Sequence, residues 1–267
     1  MNIVIDDYLR NSKREYGFYK KHPKKYEKRI DDISDLFNLK KLSRFNTNRI
    51  PKFWTGQLSD DKKIIFFGLN PGARSKSAFP DKSEKKSWKT YIKTRKNYFH
   101  ELSKKKDLGP YHRDYYKLVC GIFDKEYDKK IDWNFFHNRT LSLNLFPYHS
   151  NQTNLPGKLS ASQLSVLLGR LDLLLEFAKT QNPKLCIFNA KIWKVLLIDH
   201  KLVKKPKRIH IINNFYIYFF RYNNMQCLLF NHFLSSSRHD GVTDKILCGK
   251  IPRIVLKQYP KLMSLKW

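Results

Sequence analysis

The stretch KKIIFFGLNPG at residues 62–72 decides the fold of this chain. Four apolar residues at 64–67 are followed by Gly68, a pattern that predicts a buried strand ending in a sharp loop. In an open α/β sheet, ligands bind at the loops that follow such strands. The two glycines of this loop let a substrate approach the backbone, and Asn70 is its functional side chain. The alternative is an ordinary Asn-Pro-Gly turn after the strand.

The composition favours a polyanionic partner. The chain has 53 lysines and arginines against 23 acidic residues, which gives a formal charge of +30. Such an excess indicates nucleic acid ahead of a membrane surface, and aromatic residues, 15% of the chain, suit stacking on bases. The alternative is a lysine-rich proteome encoded by an AT-rich genome, which would account for part of the charge.

The four cysteines are widely spaced and form no CxxC pair. This spacing disfavours a zinc or iron–sulfur site, so we expect reduced thiols, no metal and no cofactor. No apolar run reaches transmembrane length, and the first residues lack a signal-peptide profile. We therefore expect a soluble, cytoplasmic protein with no membrane partner.

Strand-like and helix-like segments alternate along the chain. This alternation predicts an α/β fold, a three-layer sandwich with a mainly parallel central sheet and helices on both faces. We expect residues 1–58 to form a basic helical N-terminal extension packed on a core domain of residues 59–267, which contains a helical insertion at about 86–125. The predicted strands are 64–67, 141–146, 184–188, 208–212, 215–221 and 225–230. The predicted helices after residue 72 are 88–102, 111–123, 160–180, 190–199 and a last one from residue 243 onward.

Three of these strands end in polar loops, GLNPG at 68–72, NLFPYHS at 144–150 and NHFLSSSR at 231–238. The carboxyl ends of parallel strands lie at one edge of a sheet, so we expect the loops to converge on one site. Together they resemble the uracil-DNA glycosylase superfamily, especially its single-strand-selective (SMUG) and mismatch-specific branches. The resemblance covers residues 60–245 and rests most firmly on the G-x-N-P-G motif. It implies a uracil-DNA glycosylase-like fold.

The resemblance implies a role for one residue in each motif. Asn70 would be catalytic by orienting the attacking water. The family's stronger variant has Asp there, which implies a slower enzyme or a substrate with a better leaving group. Asn144 would read the base edge, since one amide offers both a donor and an acceptor, although an Asn closing a strand can also be structural. His232 would be catalytic by donating to the base oxygen as negative charge accumulates on it.

Further site residues follow from the same resemblance. Gly68, Leu69 and Pro71 would also bind the base, together with Phe79, for which core packing is an equal alternative. The DNA-binding residues would be Gly72, Leu234, Ser235, Ser236, Ser237 and Arg238. Relatives commonly have H-P-S-P in the third loop, where this chain has H-F-L-S. Because both prolines are missing, the rigidity of the loop stays open. It also stays open whether Phe233, Leu234 or Arg238 would fill the gap that the flipped base leaves in the DNA. His149 is expected to face solvent rather than line the pocket.

The resemblance implies a monofunctional DNA glycosylase that flips out a damaged or modified pyrimidine and leaves an abasic site. The base would be uracil or a 5-modified base, and the setting either DNA repair or anti-phage defence against hypermodified phage DNA. The partner would be single- or double-stranded DNA, bound by a monomer with strong salt dependence. The alternative is a catalytically weak or inactive DNA-binding protein with the same fold. A nucleotide-processing enzyme is disfavoured, because no phosphate-binding glycine loop follows Phe67.

Overall fold

A computed structural model describes residues 3–40, 43–56, 58, 64–69, 86–99, 110–125, 132–150, 155–156, 158–231 and 241–264. Within these ranges the chain is an α/β protein built on a seven-stranded sheet. The strands are β1 Trp54–Thr55, β2 Ile64–Gly68, β3 Thr140–Asn144, β4 Leu185–Asn189, β5 Lys207–Ile212, β6 Phe215–Tyr222 and β7 Met225–Phe230. Every residue of β2 and β4 is buried, in agreement with the apolar runs at 64–67 and 185–188.

The sheet is mixed, which corrects the expectation of a mainly parallel one. Its strand order is β1-β3-β2-β4-β7-β6-β5. Strand β4 pairs with β7 in parallel, whereas β1 with β3, β5 with β6 and β6 with β7 are antiparallel. The two-residue turns Asn213-Asn214 and Asn223-Asn224 impose the last two pairings, since so short a connection can join only antiparallel strands. Asn223 and Asn224 both have positive φ, 45° and 64°, as a type I′ turn requires.

Helices precede, separate and follow the strands in the described part of the chain. They are α1 Ile3–Lys21, α2 Pro23–Leu36, α3 Trp88–Lys96, α4 Pro110–Ile122, α5 Trp133–Arg139, α6 Ala161–Thr180, α7 Lys191–Lys194 and α8 Ile251–Gln258. Helix α7 continues as a π-helical turn over Val195–Asp199, and another, Ile246–Lys250, leads into α8. A 3₁₀ turn, Pro260–Ser264, follows α8. None of the described helices has the length and apolar character needed to cross a bilayer.

Most predicted elements are found within one to three residues of their expected ends. Helix α6 begins where the sequence places its cap. The Ser160 hydroxyl accepts the backbone N–H of Gln163, whose side-chain oxygen accepts the N–H of Ser160. Two elements were not predicted, the two-residue strand β1 and helix α5, because neither is long enough to show a hydrophobic period.

The chain forms two compact units, and neither is continuous in sequence. The first comprises Met1–Asp61, Phe67–Tyr98 and Leu141–Asn182. Here α1 packs on α6 through Tyr8 and Phe177, whose stacked rings lie 4.0 Å apart. Gln163 at the start of α6 donates to the carbonyl of Leu36 at the end of α2 over 2.6 Å. The two N-terminal helices therefore share a core with α6.

The second unit comprises Lys62–Phe66, Phe99–Thr140 and Pro183–Trp267. Its core contains β4, β7 and β6, and α4 packs against α8 and the π-helical turn before it. That packing is close at Gly121 in α4. A Cβ there would lie 2.3 Å from the carbonyl oxygen of Cys248. The four cysteines are free thiols, and three of them are buried.

Candidate functional site

The ends of β2 and β3 are joined by backbone hydrogen bonds just beyond the paired strands. The N–H of Leu145 donates to the carbonyl of Gly68 over 3.0 Å, and the N–H of Phe146 donates to that of Leu69 over 2.8 Å. Gly68 and Leu69 are both buried. The described beginning of the first motif thus lies directly beside the second motif.

Asn144 ends β3 with its side chain half-buried. Its Nδ2 donates to the carbonyl of Lys52 over 2.9 Å, and its backbone N–H donates to the carbonyl of Phe53. The bond to Lys52 uses one of the two amide hydrogens and fixes the orientation of the amide group. One N–H and the acceptor Oδ1 are left for a ligand, which is the donor–acceptor pair that a pyrimidine edge requires.

A described residue at the start of the third motif and one beyond its end bond to neighbouring elements. At the entry, Oδ1 of Asn231 accepts the N–H of Tyr216 over 2.8 Å, while its Nδ2 donates to the carbonyl of Asn214 over 2.7 Å. Beyond the exit, Asp244 forms an ion pair of 2.7 Å with the nearly buried Lys117 of α4. Asn231 at the start of the motif and Asp244 beyond its end therefore bond to neighbouring elements of the second unit.

Most of the remaining site residues predicted from the sequence lie outside the described residues, so their roles stay predictions. This holds for both proposed catalytic side chains. The residues in this group are Asn70, Pro71, Gly72, Phe79, His232, Leu234, Ser235, Ser236, Ser237 and Arg238.

Asn189 at the end of β4 was not singled out in the sequence. It is fully buried, and its Nδ2 donates to the hydroxyl of Tyr115 over 2.8 Å. The Tyr115 ring in turn stacks on Phe66 of β2, with centroids 3.8 Å apart. The available signal was an Asn directly after the predicted strand 184–188. Its partners give Asn189 a structural role in the core of the second unit.

His149 does not face solvent, which corrects the expectation from sequence. It is 4% exposed, and its carbonyl accepts the N–H of Asn46 in an isolated β-bridge. Pairing of the segment after β3 with residues 43–50 was not predictable, because those residues show no strand pattern.

A charged network in the first unit was also not predicted. Glu15 of α1 forms an ion pair with Arg29 of α2 over 3.1 Å and accepts the hydroxyl of Tyr148 over 2.9 Å. Arg170 of α6 donates to the same hydroxyl over 2.9 Å. Burial raises the pKa of Tyr148 against the lowering effect of the Arg170 guanidinium. The phenol therefore stays protonated and can donate to Glu15.

Among the described residues, no group of three or more His, Cys, Asp or Glu side chains is arranged to hold a metal ion. In sequence comparisons, no protein-family model matches the chain, and no curated protein is significantly similar to it. The candidate site is therefore interpreted from its own residues and geometry.

Proposed function

We propose that this protein is a DNA glycosylase with a three-layer, uracil-DNA glycosylase-like fold. It hydrolyses the N-glycosidic bond of a damaged or modified pyrimidine, uracil or a 5-modified base, and leaves an abasic site. The observation that carries the proposal is the pairing of Leu145 and Phe146 with Gly68 and Leu69. This pairing brings together two loops to which the resemblance assigns one active site.

In the proposed reaction the target nucleotide leaves the base stack and enters a pocket beside these loops. Asn144, whose amide is oriented by Lys52, pairs with the base edge through its remaining N–H and Oδ1. Asn70 orients the water that attacks C1′ of the sugar. His232 donates to the base oxygen, on which negative charge develops as the C–N bond breaks.

The electrostatics of the chain support a nucleic-acid substrate. The formal charge of +30 favours binding to phosphates, and Lys20, Lys21, Lys24, Lys25 and Lys28 are all exposed near the junction of α1 and α2. We propose that this charge recruits DNA from solution, in DNA repair or in defence against modified phage DNA. Because charge alone would equally suit a protein that only binds DNA, the chemistry needs a direct test.

The test is a base-release assay on DNA containing uracil, hydroxymethyluracil, hydroxymethylcytosine or glucosylated cytosine, in single- and double-stranded form. Abasic sites would be scored by alkaline cleavage. The protein is compared with Asn70→Ala and His232→Ala, with circular dichroism and thermal unfolding as checks on folding. We expect release from at least one substrate and its loss in both variants.

Asn144→Asp provides a matched probe of base reading. It keeps the size of the side chain but replaces its N–H donors with an acceptor, so it cannot donate to Lys52 or to the base. We expect release to fall about 100-fold or more, as when a donor to the reacting group is removed. If DNA is bound tightly but no base is released from any substrate, the protein is a DNA-binding protein and the glycosylase proposal fails.

A further inference from the structure

A cavity of ≈ 550 Å³ lies within the first unit, between α1, α2, α6 and the chain around the end of β3. Its volume falls in the range of small-molecule binding sites. Helix α1 presents Tyr8, Asn11, Ser12, Glu15 and Phe18 to it at helical spacing. The remaining lining residues are Arg14, Arg29, Phe53, Asn144, Leu145, Pro147, Gly169, Arg170, Leu173 and Leu174.

The charged lining of this cavity favours an anion. The lining residues include three arginines, Arg14, Arg29 and Arg170, and one carboxylate, that of Glu15. Glu15 and Tyr148 hold Arg29 and Arg170 in place through bonds of about 3 Å. Each of these arginines has several N–H donors, and the planar fork of a guanidinium matches the oxygens of a phosphate.

Two polar groups of the lining make no hydrogen bond to a described residue. The hydroxyl of Ser12 is buried, with the residue 1% exposed, and no described group bonds to it. Buried polar atoms are bonded in the great majority of cases, so this hydroxyl indicates a ligand or water in the cavity. Arg14 is exposed and makes no hydrogen bond or ion pair within the described ranges.

The lining of the cavity also contains aromatic side chains. Tyr8 is held rigidly, with its ring stacked on Phe177 and its hydroxyl donating to the carbonyl of Phe53. The guanidinium of Arg29 lies over the ring of Phe18, and its Cζ is 5.8 Å from the ring centroid. A ligand that contacts both the arginines and the aromatic rings needs an anionic group and an unsaturated ring.

We propose that this cavity binds a phosphorylated nucleoside. The phosphate monoester would contact Arg14 and Arg170 and accept from Ser12, and the base would lie against Phe18 and Phe53. A phosphate dianion matches the excess of two positive charges among the lining residues. The proposal goes beyond glycosidic hydrolysis, because its phosphate contacts come from α1 and α6 and not from the three motifs. The same chemistry could be offered by a free nucleotide or by the phosphorylated end of a DNA strand.

The first test is calorimetric titration of the full chain with 2′-deoxyuridine 5′-monophosphate, with unphosphorylated 2′-deoxyuridine as the control ligand. Arg14→Gln is compared with Lys13→Gln, its exposed neighbour on α1, which carries the same charge but does not line the cavity. We expect the monophosphate to bind and the nucleoside not to bind. Loss of a charged hydrogen bond to phosphate predicts about 10-fold weaker binding in Arg14→Gln and less than about 2-fold in Lys13→Gln.

A second arm compares a short oligonucleotide with and without a 5′-phosphate, to distinguish a strand end from a free nucleotide as the source of the ligand. Binding of either phosphorylated ligand that depends on Arg14 supports the proposal. The proposal is overturned if neither ligand binds at millimolar concentration, if the nucleoside binds as well as its phosphate, or if both variants weaken binding equally.

The same titration on Asn70→Ala separates this proposal from the glycosylase proposal. The cavity should still bind the monophosphate in that variant, because the proposed phosphate contacts come from α1 and α6. If the intact protein binds the nucleotide but releases no base, the glycosylase proposal fails and the nucleotide site stands.

Discussion

Asparagine stands at or just beyond the end of six strands, β2 to β7. After β5 and β6 it belongs to two-residue turns, and the other three in the described ranges have different partners. Asn189 bonds a buried tyrosine, and Asn231 ties its strand end to a neighbouring turn, whereas Asn144 retains a donor and an acceptor after bonding Lys52. The sequence identifies such asparagines as candidate site residues, but it cannot distinguish a structural asparagine from a functional one. The difference depends on which groups the side-chain amide bonds, and these groups come from distant parts of the chain.

Asn231 is the residue through which we expect the third motif to be positioned. Asn231→Ala removes both side-chain hydrogen bonds of the residue before His232, and an error of 1 Å in placing a catalytic group can cost about 100-fold in rate. We therefore expect base release by Asn231→Ala to fall about 10- to 100-fold, mainly in kcat.

Asn231→Asp supplies the matched comparison. It keeps an acceptor for the N–H of Tyr216 but loses the donor to Asn214, so its release rate should lie between those of the protein and Asn231→Ala. Equal rates in all three proteins would show that Asn231 does not position the motif.

Gly121 allows the closest helix packing among the described glycines. An alanine Cβ there would lie 2.3 Å from the oxygen of Cys248 and 2.4 Å from Cγ of Pro252. Because a backbone oxygen cannot easily move away, we expect Gly121→Ala to lower the free energy of unfolding by at least about 2 kcal/mol, as overpacking of cores does.

Gly17 in α1 is the control, because an added Cβ there meets no atom within 4 Å. Gly17→Ala should raise stability by about 0.5–1 kcal/mol, the helix preference for alanine. Urea unfolding of both variants measures the difference. A stable Gly121→Ala would contradict the packing described for α4.

At the level of elements, sequence patterns identified the buried strands and helix α6 because these segments are long and regular in their apolar content. They did not identify the π-helical turns at Val195–Asp199 and Ile246–Lys250, where the sequence continues to read as α-helix. A π turn is set by packing around the helix, so it leaves no separate pattern of residues. Helix α5 was missed because its seven residues span only two turns.

Helix α5 begins at a charged cap that makes its stability depend on pH. Asp132 accepts the N–H of Phe135 and pairs with Lys125. Burial opposes ionisation of Asp132, but the hydrogen bonds from Lys125 and Phe135 outweigh it, so its pKa lies below the ordinary value. A lowered pKa means that the ionised carboxylate stabilises the fold above the ordinary pKa and that this stability is lost as the pH falls through the folded pKa.

Asp132→Asn keeps a good helix cap and removes the charge. At pH 7 we expect its Tm to be lower than that of the unmodified chain by up to about 3 °C, the effect of one largely exposed ion pair. The two Tm values should converge below about pH 4. Thermal unfolding between pH 3 and pH 7 measures this difference, and a gap that does not change with pH would refute the assignment.

For the molecule as a whole, the sequence indicated an α/β class and a basic protein but not how distant segments pack. The cavity of the first unit joins residues 8–18 with residues 144–174, and no local pattern records that approach. The sheet is mixed because β5, β6 and β7 follow one another without a helix between them. Two-residue turns join these strands and pair them antiparallel, although alternation elsewhere in the chain predicts a mainly parallel sheet.

The charge of the whole chain leads to a prediction about binding. If phosphate contacts carry the affinity for DNA, raising KCl from 50 to 200 mM should weaken binding about 1,000-fold or more. Replacing the exposed Lys24 and Lys25 with Gln should reduce the slope of log K against log salt by about 2 if both touch phosphates. Fluorescence polarisation with a labelled duplex measures both. Affinity that does not change with salt would show that the basic composition is unrelated to DNA.

The discontinuity of the two units has a consequence for biosynthesis. The first unit contains α1 and α2 but also α6, which ends at Thr180, so it cannot be completed until about two-thirds of the chain has left the ribosome. Until then the apolar faces of α1 and α2 cannot pack against α6, and they are exposed to contact with other proteins. The nascent chain should therefore need chaperone protection once α1 and α2 have been synthesised. The core of the first unit should form only after the segment Ala161–Thr180 has left the ribosome.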